Sequence, residues 1–314
     1  MIIFQFPGQG SQSVGMGVEL AKEFGIAREV FAQVDDALGQ KLSGLMAEGP
    51  VDELTLTENA QPALMAVSLA VTAVLKSEFG IGVDRAAYVA GHSLGEYSAL
   101  TAAGAFSVAE ASLLLRLRGQ AMQRSVAPGI GAMASLIGPK VDLALAEAAA
   151  AIGAKAGVCV VANDNNNGNI VISGTREGVD AGIAAAKGMG GRAIPLSVSA
   201  PFHCPLMAPA AKEMAAALSL IKLAAPIVPV VSNVNVTPTQ DPTDIARLLV
   251  EQVTGRVRWR ETIMWFASQG ATHFVEIGAA SVLTGMSRRI APDAISLSLS
   301  CRADLEAFAA LLSQ

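Results

Sequence analysis

Residues 86–106, AAYVAGHSLGEYSALTAAGAF, constrain the fold of this chain more than any other stretch. A short apolar run leads into Gly91-His92-Ser93-Leu94-Gly95, and an alanine-rich, helix-compatible segment leads out of it. A serine with a glycine two residues away on each side suits a tight strand-to-helix turn. There the missing Cβ atoms leave room for the sharp backbone, and the hydroxyl stands exposed. Such a turn belongs to a helix-covered sheet, so an α/β architecture is expected.

The neighbouring segments agree with this reading. IIFQF (2–6) is short, β-rich and ended by Pro7-Gly8, which predicts a first strand. A helical pattern covers 62–80, and two more helical segments follow Ser93, the second opened by a capping box from Ser107 to Glu110. The middle of the chain then reads strand 131–138, helix 141–152, strand 157–164, the turn-rich NNNGN, strand 169–174, helix 176–188 and strand 192–199. That β-α-β-β-α-β order predicts a ferredoxin-like unit. Pro128-Gly129 and Pro201 flank it, so 129–199 is expected as a small domain inserted into a larger one made of 1–128 and 200–314. After it, helices alternate with the strand patterns PVVSNV, THFVEIG and AISLSLS, which predicts a largely parallel sheet.

Composition narrows the function classes. With 314 residues, 52% of them hydrophobic and 16% charged, a large core is expected. The most apolar long stretch, LALAEAAAAIGAKAGVCVVA, carries Glu147 and Lys155, which a lipid-facing span would tolerate poorly. MIIFQFPGQG lacks both a basic lead and a long apolar run, so no signal peptide is expected and the location is read as cytoplasmic. Cys159, Cys204 and Cys301 are odd in number and far apart, which fits a reducing compartment. No CxxC or HExxH occurs, so no metal site is expected, and a net charge of −5 disfavours general nucleic-acid binding.

A serine hydroxyl is a poor nucleophile until a base takes its proton. His92 adjoins Ser93 and should point away, and His273 reads as a strand residue. His203, in SAPFHCPLM, lies where the small domain returns to the large one, and such junction loops are where α/β sites form. It is the expected base. Cys204 beside it has no elbow and reads as a buried, inert thiol. Helical spacing groups Arg116 with Ser112, Gln120 and Gln123 on a polar face, and Arg118 with Leu114, Leu115, Ala121 and Met122 on the apolar side. An inward arginine needs an anion, either an acid of the protein or a substrate carboxylate. FPGQGSQSVG (6–15) fails the dinucleotide pattern GxGxxG at Ser13, but a glycine-rich loop after the first strand could offer backbone N–H groups to an oxyanion.

Together with QPAL (61–64), RGQAMQ (118–123), GAMA (131–134), IVISG (170–174), PFHCPLM (201–207), VVSNV (230–234), LVEQV (249–253) and VLTGMSRRI (282–290), these segments resemble the malonyl-CoA:acyl carrier protein transacylases and related acyltransferase domains. The matches are collinear and span nearly the whole chain. The resemblance implies an α/β-hydrolase-like large domain with a ferredoxin-like insertion and a site in the gorge between them. It implies Ser93 as nucleophile, His203 as base and Arg118 as the binder of the malonyl carboxylate. It further implies an oxyanion hole from the N–H groups of Gln9 and Leu94, the main-chain carbonyl of Gln252 orienting His203, and Phe202 and Gln61 in the acyl pocket. No acid completes a triad in this family. The chain departs from the family at IGAAS (277–281) and NDNNNGN, which bears on local loops more than on chemistry.

The implied substrates are malonyl-CoA and holo-acyl carrier protein, with no cofactor, no membrane or nucleic-acid partner, and a monomeric enzyme supplying fatty acid biosynthesis. Arg192, Arg256, Arg258, Arg260, Arg288 and Arg289 are candidate contacts for an acidic carrier protein. A hydrolase releasing the acyl group to water, a non-catalytic docking subunit and a malonate decarboxylase transacylase subunit are the competing readings.

Overall fold

The computed structural model describes residues 1–198 and 200–313. Among these, ten strands form two sheets: β1 (Ile2–Phe6), β2 (Tyr88–Gly91), β3 (Gly131–Ile137), β4 (Cys159–Asn166), β5 (Asn169–Thr175), β6 (Arg192–Pro195), β7 (Val230–Val231), β8 (Pro238–Thr239), β9 (His273–Ile277) and β10 (Ile295–Leu299).

The first sheet runs β10-β9-β1-β2-β7-β8 and is parallel except at its β7–β8 edge. Ile3, Phe4 and Phe6 of β1 are buried, as a strand covered by helices on both faces requires. Gln5 between them is buried too, and its amide is satisfied by Ser287 Oγ at 2.9 Å. β1 and β2 are parallel with Phe6 opposite Gly91, so both end at one edge of the sheet. Ligand sites of open α/β sheets form at that edge. The helix Thr57–Phe79 is apolar nearly all round, long enough to cross a membrane and 67% buried over its most apolar window. It is the central helix of the main core, with Leu64, Met65, Val67 and Val71 inside.

The second sheet is antiparallel, in the order β4-β5-β3-β6. The helices Leu143–Gly153 and Arg176–Gly188 pack on it around a separate core that includes Leu136, Ala149, Ile172 and Val179. Strand order and connection are those of a ferredoxin-like unit. The strand expected over 192–199 ends at Pro195, and Ser199 lies outside the described residues, as does Gln314. The run expected as a turn is mostly strand: β4 continues through Asn166, with register shifts between Val161 and Asn163 and between Asp164 and Asn166. Asparagine is a poor strand former. Tertiary contacts override that preference, since Asp164 accepts from Arg260 and Asn165 meets His92. PVVSNV likewise shortens to the two residues of β7, because Asn233 turns inward onto the serine loop.

The two sheets join along one seam. Val257 N–H donates to Ala162 O at 2.8 Å, and Asp164 N–H donates to Val257 O at 2.9 Å. The strand β4 is thereby fastened to the segment that follows the helix Pro242–Thr254.

Candidate active site

Ser93 sits between β2 and the helix Gly95–Ala102 with φ of 55°, in the left-handed region. The flanking glycines are sterically required. A Cβ on Gly91 would lie 1.9 Å from Gly95 O, and one on Gly95 would lie 2.2 Å from Phe6 O. Asn233 holds the turn from both sides: its Oδ1 accepts from Ser93 N–H at 2.7 Å and its Nδ2 donates to Gly91 O at 2.7 Å. No local pattern marked Asn233 for this role, because it arrives from 140 residues away.

His203 also has positive φ, 56°, and places Nε2 2.7 Å from Ser93 Oγ. Its Nδ1–H donates to the main-chain carbonyls of Gln252 at 2.9 Å and Gly255 at 3.1 Å. Both are acceptors only, so the proton stays on Nδ1 and the Nε2 lone pair faces the serine. They belong to the C-terminal end of the helix Pro242–Thr254, whose dipole favours positive charge there. Burial, reinforced by the Arg118 charge, pulls the His203 pKa down to about 3, so the resting imidazole is neutral. His92 turns to Asn165 Oδ1 at 2.9 Å, His273 to Thr272 Oγ1 at 2.9 Å, and the buried Cys204 thiol donates to Pro201 O. Burial raises the Cys204 pKa, which leaves it a poor nucleophile.

Arg118 points inward with 2% of its surface exposed. Its Nη1 donates to Gln61 Oε1 at 2.8 Å, and its Nη2 donates to Gln252 Oε1 at 2.9 Å and Ser93 Oγ at 3.2 Å. Its Nε–H has no partner among the described residues, and no carboxylate there is within ion-pair distance. Of the two partners the sequence left open, a protein acid is not found at Arg118 among the described residues. Gly119 makes the placement possible: a Cβ there would lie 2.5 Å from Glu58 Cα, so only glycine lets the helix Val108–Arg124 approach the start of the helix Thr57–Phe79. Arg116 is half-buried and donates to Gln40 Oε1, and Ser112 is fully buried, so the polar face is partly covered.

Ser93, His203 and Arg118 open into a cavity of about 360 Å³ lined from both sheets, with Phe202 and Gln61 among its walls and Asn163 and Asn169 contributed by the second sheet. Gln9 and Leu94 line it beside the serine, and their main-chain N–H groups have no acceptor among the described residues. Two free N–H groups next to a nucleophile are what a developing oxyanion needs.

An acyl transferase domain model matches residues 3–294. The chain belongs to the acyl transferase family. Its sequence is 44% identical to the malonyl CoA-acyl carrier protein transacylase of Bacillus subtilis over 92% of this chain and 90% of that one. The structure of the acyl-carrier-protein S-malonyltransferase from Bartonella henselae superposes with a TM-score of 0.96 at 51% identity, covering 100% and 99% of the two chains. A malonyl-transacylase solved in complex with its type II PKS acyl carrier protein superposes with a TM-score of 0.94 at 39% identity, covering 100% and 99%.

Against that family background, the candidate arginines and Gln252 take their places in the fold. Arg256, Arg258 and Arg260 are each engaged in ion pairs within the chain. Arg256 pairs with Glu147 at 2.8 Å, Arg258 with Glu261, and Arg260 grips the fully buried Asp164 at 2.8 Å. The first and last of these pairs tie the two sheets' segments together. Arg192, Arg288 and Arg289 remain exposed, with Arg288 donating to Ser296 O. For Gln252 the main-chain role holds and a side-chain role is added. Its main-chain carbonyl meets His203, and its side chain also reaches Arg118 and Glu96. Glu96 was missed because a glutamate on the first turn of a helix normally reads as a solvated N-terminal charge.

Proposed function

We propose that this acyl transferase moves a malonyl group from malonyl-CoA to the phosphopantetheine thiol of an acyl carrier protein, the S-malonyltransferase reaction (EC 2.3.1.39) that supplies fatty acid biosynthesis. The observation that carries this reading is Arg118, a buried cation with no acidic partner among the described residues, whose Nη2 lies 3.2 Å from Ser93 Oγ. In a malonyl thioester one methylene separates the reacting carbonyl from the carboxylate. A guanidinium this close to the nucleophile suits that short spacing. The named relatives act on the same acyl group, and one of them was captured with its carrier protein.

In the first half-reaction, His203 takes the Ser93 proton as Oγ attacks the thioester carbonyl. The N–H groups of Gln9 and Leu94 receive the oxyanion, and the carbonyls of Gln252 and Gly255 stabilise the imidazolium. Collapse of the intermediate expels coenzyme A, which takes the proton back from His203. In the second half-reaction the carrier's thiol gives its proton to His203 and attacks the malonyl ester; the ester C–O bond breaks and the leaving Ser93 Oγ takes that proton from His203, restoring both groups. Arg118 holds the carboxylate throughout, and Phe202 limits bulk at the α-carbon. All of these groups come from one chain, so a monomer suffices, and the steps call for no metal or cofactor. Three free cysteines agree with a cytoplasmic setting. We divide the chain at 128/129 and 199/200, so that the inserted domain forms the opposite wall of the gorge.

Intact-protein mass spectrometry after brief incubation with malonyl-CoA tests this. A malonyl adduct that is absent in Ser93→Ala and discharged by holo-acyl carrier protein is expected. Free malonate without a carrier would instead identify a hydrolase, and neither adduct nor turnover a docking subunit. Discharge only to a malonate decarboxylase carrier would reassign the partner.

A further inference from the structure

Between the buried side chains of Glu96 and Arg118 a side-chain amide is interposed. Glu96, 2% exposed on the first turn of the helix after Ser93, has no ion pair among the described residues. Its Oε2 accepts from Asn233 N–H at 3.0 Å and from Gln252 Nε2 at 2.8 Å. Gln252 is fully buried, and its Oε1 accepts from Arg118.

We propose that Glu96 is a positioning residue for acyl selection, locking the Gln252 amide in the one orientation that turns its oxygen onto Arg118. The proposal rests on the malonyl reading given above.

The hydrogen-bond inventory supports a single orientation. Around Gln252 Nε2 stand acceptors only: Ser93 O at 2.9 Å, Glu96 Oε2 at 2.8 Å and Asn233 Oδ1 at 3.4 Å. Around Gln252 Oε1 stands the Arg118 guanidinium, a donor only. Rotating the amide by half a turn would face oxygen with oxygen on one side and N–H with N–H on the other. Glu96 contributes the carboxylate of that set, and when ionised, above about pH 7, its charge-assisted bond is about twice as strong as a neutral one.

The interposed amide also explains why Arg118 stays free. A carboxylate in direct contact would occupy the guanidinium fork that a substrate carboxylate needs. Held one amide away, Glu96 supplies a nearby opposite charge while the fork faces the cavity. Asn233 links the same carboxylate to the serine turn, since its main-chain N–H binds Glu96 and its side chain binds Ser93 N–H and Gly91 O.

The test measures Ser93 acylation by malonyl-CoA and by acetyl-CoA, by rapid quench and intact mass, in the full chain carrying Glu96→Leu, Gln252→Leu, both, or Glu96→Gln. Gln252→Leu leaves the main-chain carbonyl that meets His203 in place. Loss of one hydrogen bond to a charged group predicts that Glu96→Leu slows malonyl acylation roughly ten- to a hundredfold more than acetyl acylation. The double variant should fall less than about threefold below Gln252→Leu alone, because the two act through one contact. Equal losses for both donors, or additive effects, would overturn the proposal and leave Glu96 a structural support of the serine turn. Should Glu96→Leu not fold, the near-isosteric Glu96→Gln decides. It keeps an acceptor oxygen and must keep the malonyl preference, so loss of that preference overturns the proposal. A wild-type chain that forms an acetyl but no malonyl adduct would instead sink the malonyl reading, and this proposal with it.

Discussion

Replacing Arg118 by methionine separates its two possible uses, because they predict opposite costs. The methionine keeps much of the apolar stem and removes the charge and all five donors. A carboxylate clamped by two charge-assisted hydrogen bonds at about 1.5–3 kcal/mol each loses about 3–6 kcal/mol of binding in the transition state. At 1.36 kcal/mol per factor of ten, malonyl transfer should drop roughly 10²- to 10⁴-fold in kcat/KM. Acetyl transfer involves no carboxylate. It loses only the Arg118 contact with Ser93 Oγ at 3.2 Å, which malonyl transfer loses as well and which is worth about ten- to a hundredfold at most. Folding stability should barely move. The variant leaves Gln61 Oε1 and Gln252 Oε1 without their donor, at about 1–3 kcal/mol each. It also relieves the burial of a cation with no acidic partner among the described residues, a penalty of several kcal/mol. These oppose each other, so Tm should shift by less than about 5 °C in either direction. The assay is rapid-quench detection of the Ser93 adduct with each donor, beside scanning calorimetry of both proteins. Equal loss with malonyl and acetyl donors, together with a Tm drop above about 10 °C, would show that Arg118 is a structural cation and that the selectivity argument is wrong.

Other consequences follow from particular contacts. The depressed His203 pKa of about 3 predicts no acid limb near pH 6.5 in kcat/KM, and an inflection there that Glu96→Gln leaves in place would refute a neutral buried base. The same two groups oppose each other in stability. As pH falls below 6.5 the unfolded chain protonates His203 and the folded chain does not, which costs about 1.4 kcal/mol per unit; burial holds Glu96 at about 7, so the folded chain takes up that proton first and gains the same amount down to pH 4.5. Glu96→Gln removes the gain, so its unfolding free energy by urea titration should fall progressively behind wild type, by about 3 kcal/mol in all between pH 6.5 and 4.5; parallel curves would contradict this. Gly119→Ala drives a Cβ to 2.5 Å from Glu58 Cα, and should cost about 1–3 kcal/mol while lowering malonyl acylation more than acetyl acylation. Arg260→Met strands the fully buried Asp164 and should cost about 3–5 kcal/mol by urea titration. Adding Asp164→Asn should recover most of that, and no recovery would mean that the pair's charge is not what matters.

Short-range patterns were enough to reveal many of the elements and to single out Ser93 as the candidate nucleophile. The Gly91-His92-Ser93-Leu94-Gly95 turn, the capping box at Ser107 and the helix at 176–188 are each encoded within a few residues by sterics and local hydrogen bonds. The inward face of Arg118 was likewise readable from helical period. Elements whose conformation depends on distant partners were read less well. The asparagines of β4 extend a strand because His92 and Arg260 meet that strand's side chains, and β7 stops early because Asn233 turns to the serine loop.

By itself, then, the amino-acid sequence determined the alternation of strands and helices, the elbow around Ser93 and the collinear motifs that mark an acyl transferase. Only the tertiary structure decided that Arg118 lacks an acidic partner among the described residues, that Gln252 uses its side chain as well as its carbonyl, and that Arg256 and Arg260 bind the two sheets' segments together. The physical reason is range. Turn sterics and hydrophobic period act over a few residues. Pairing a buried charge depends on which groups arrive from more than a hundred positions away, as Gln252 does at Ser93.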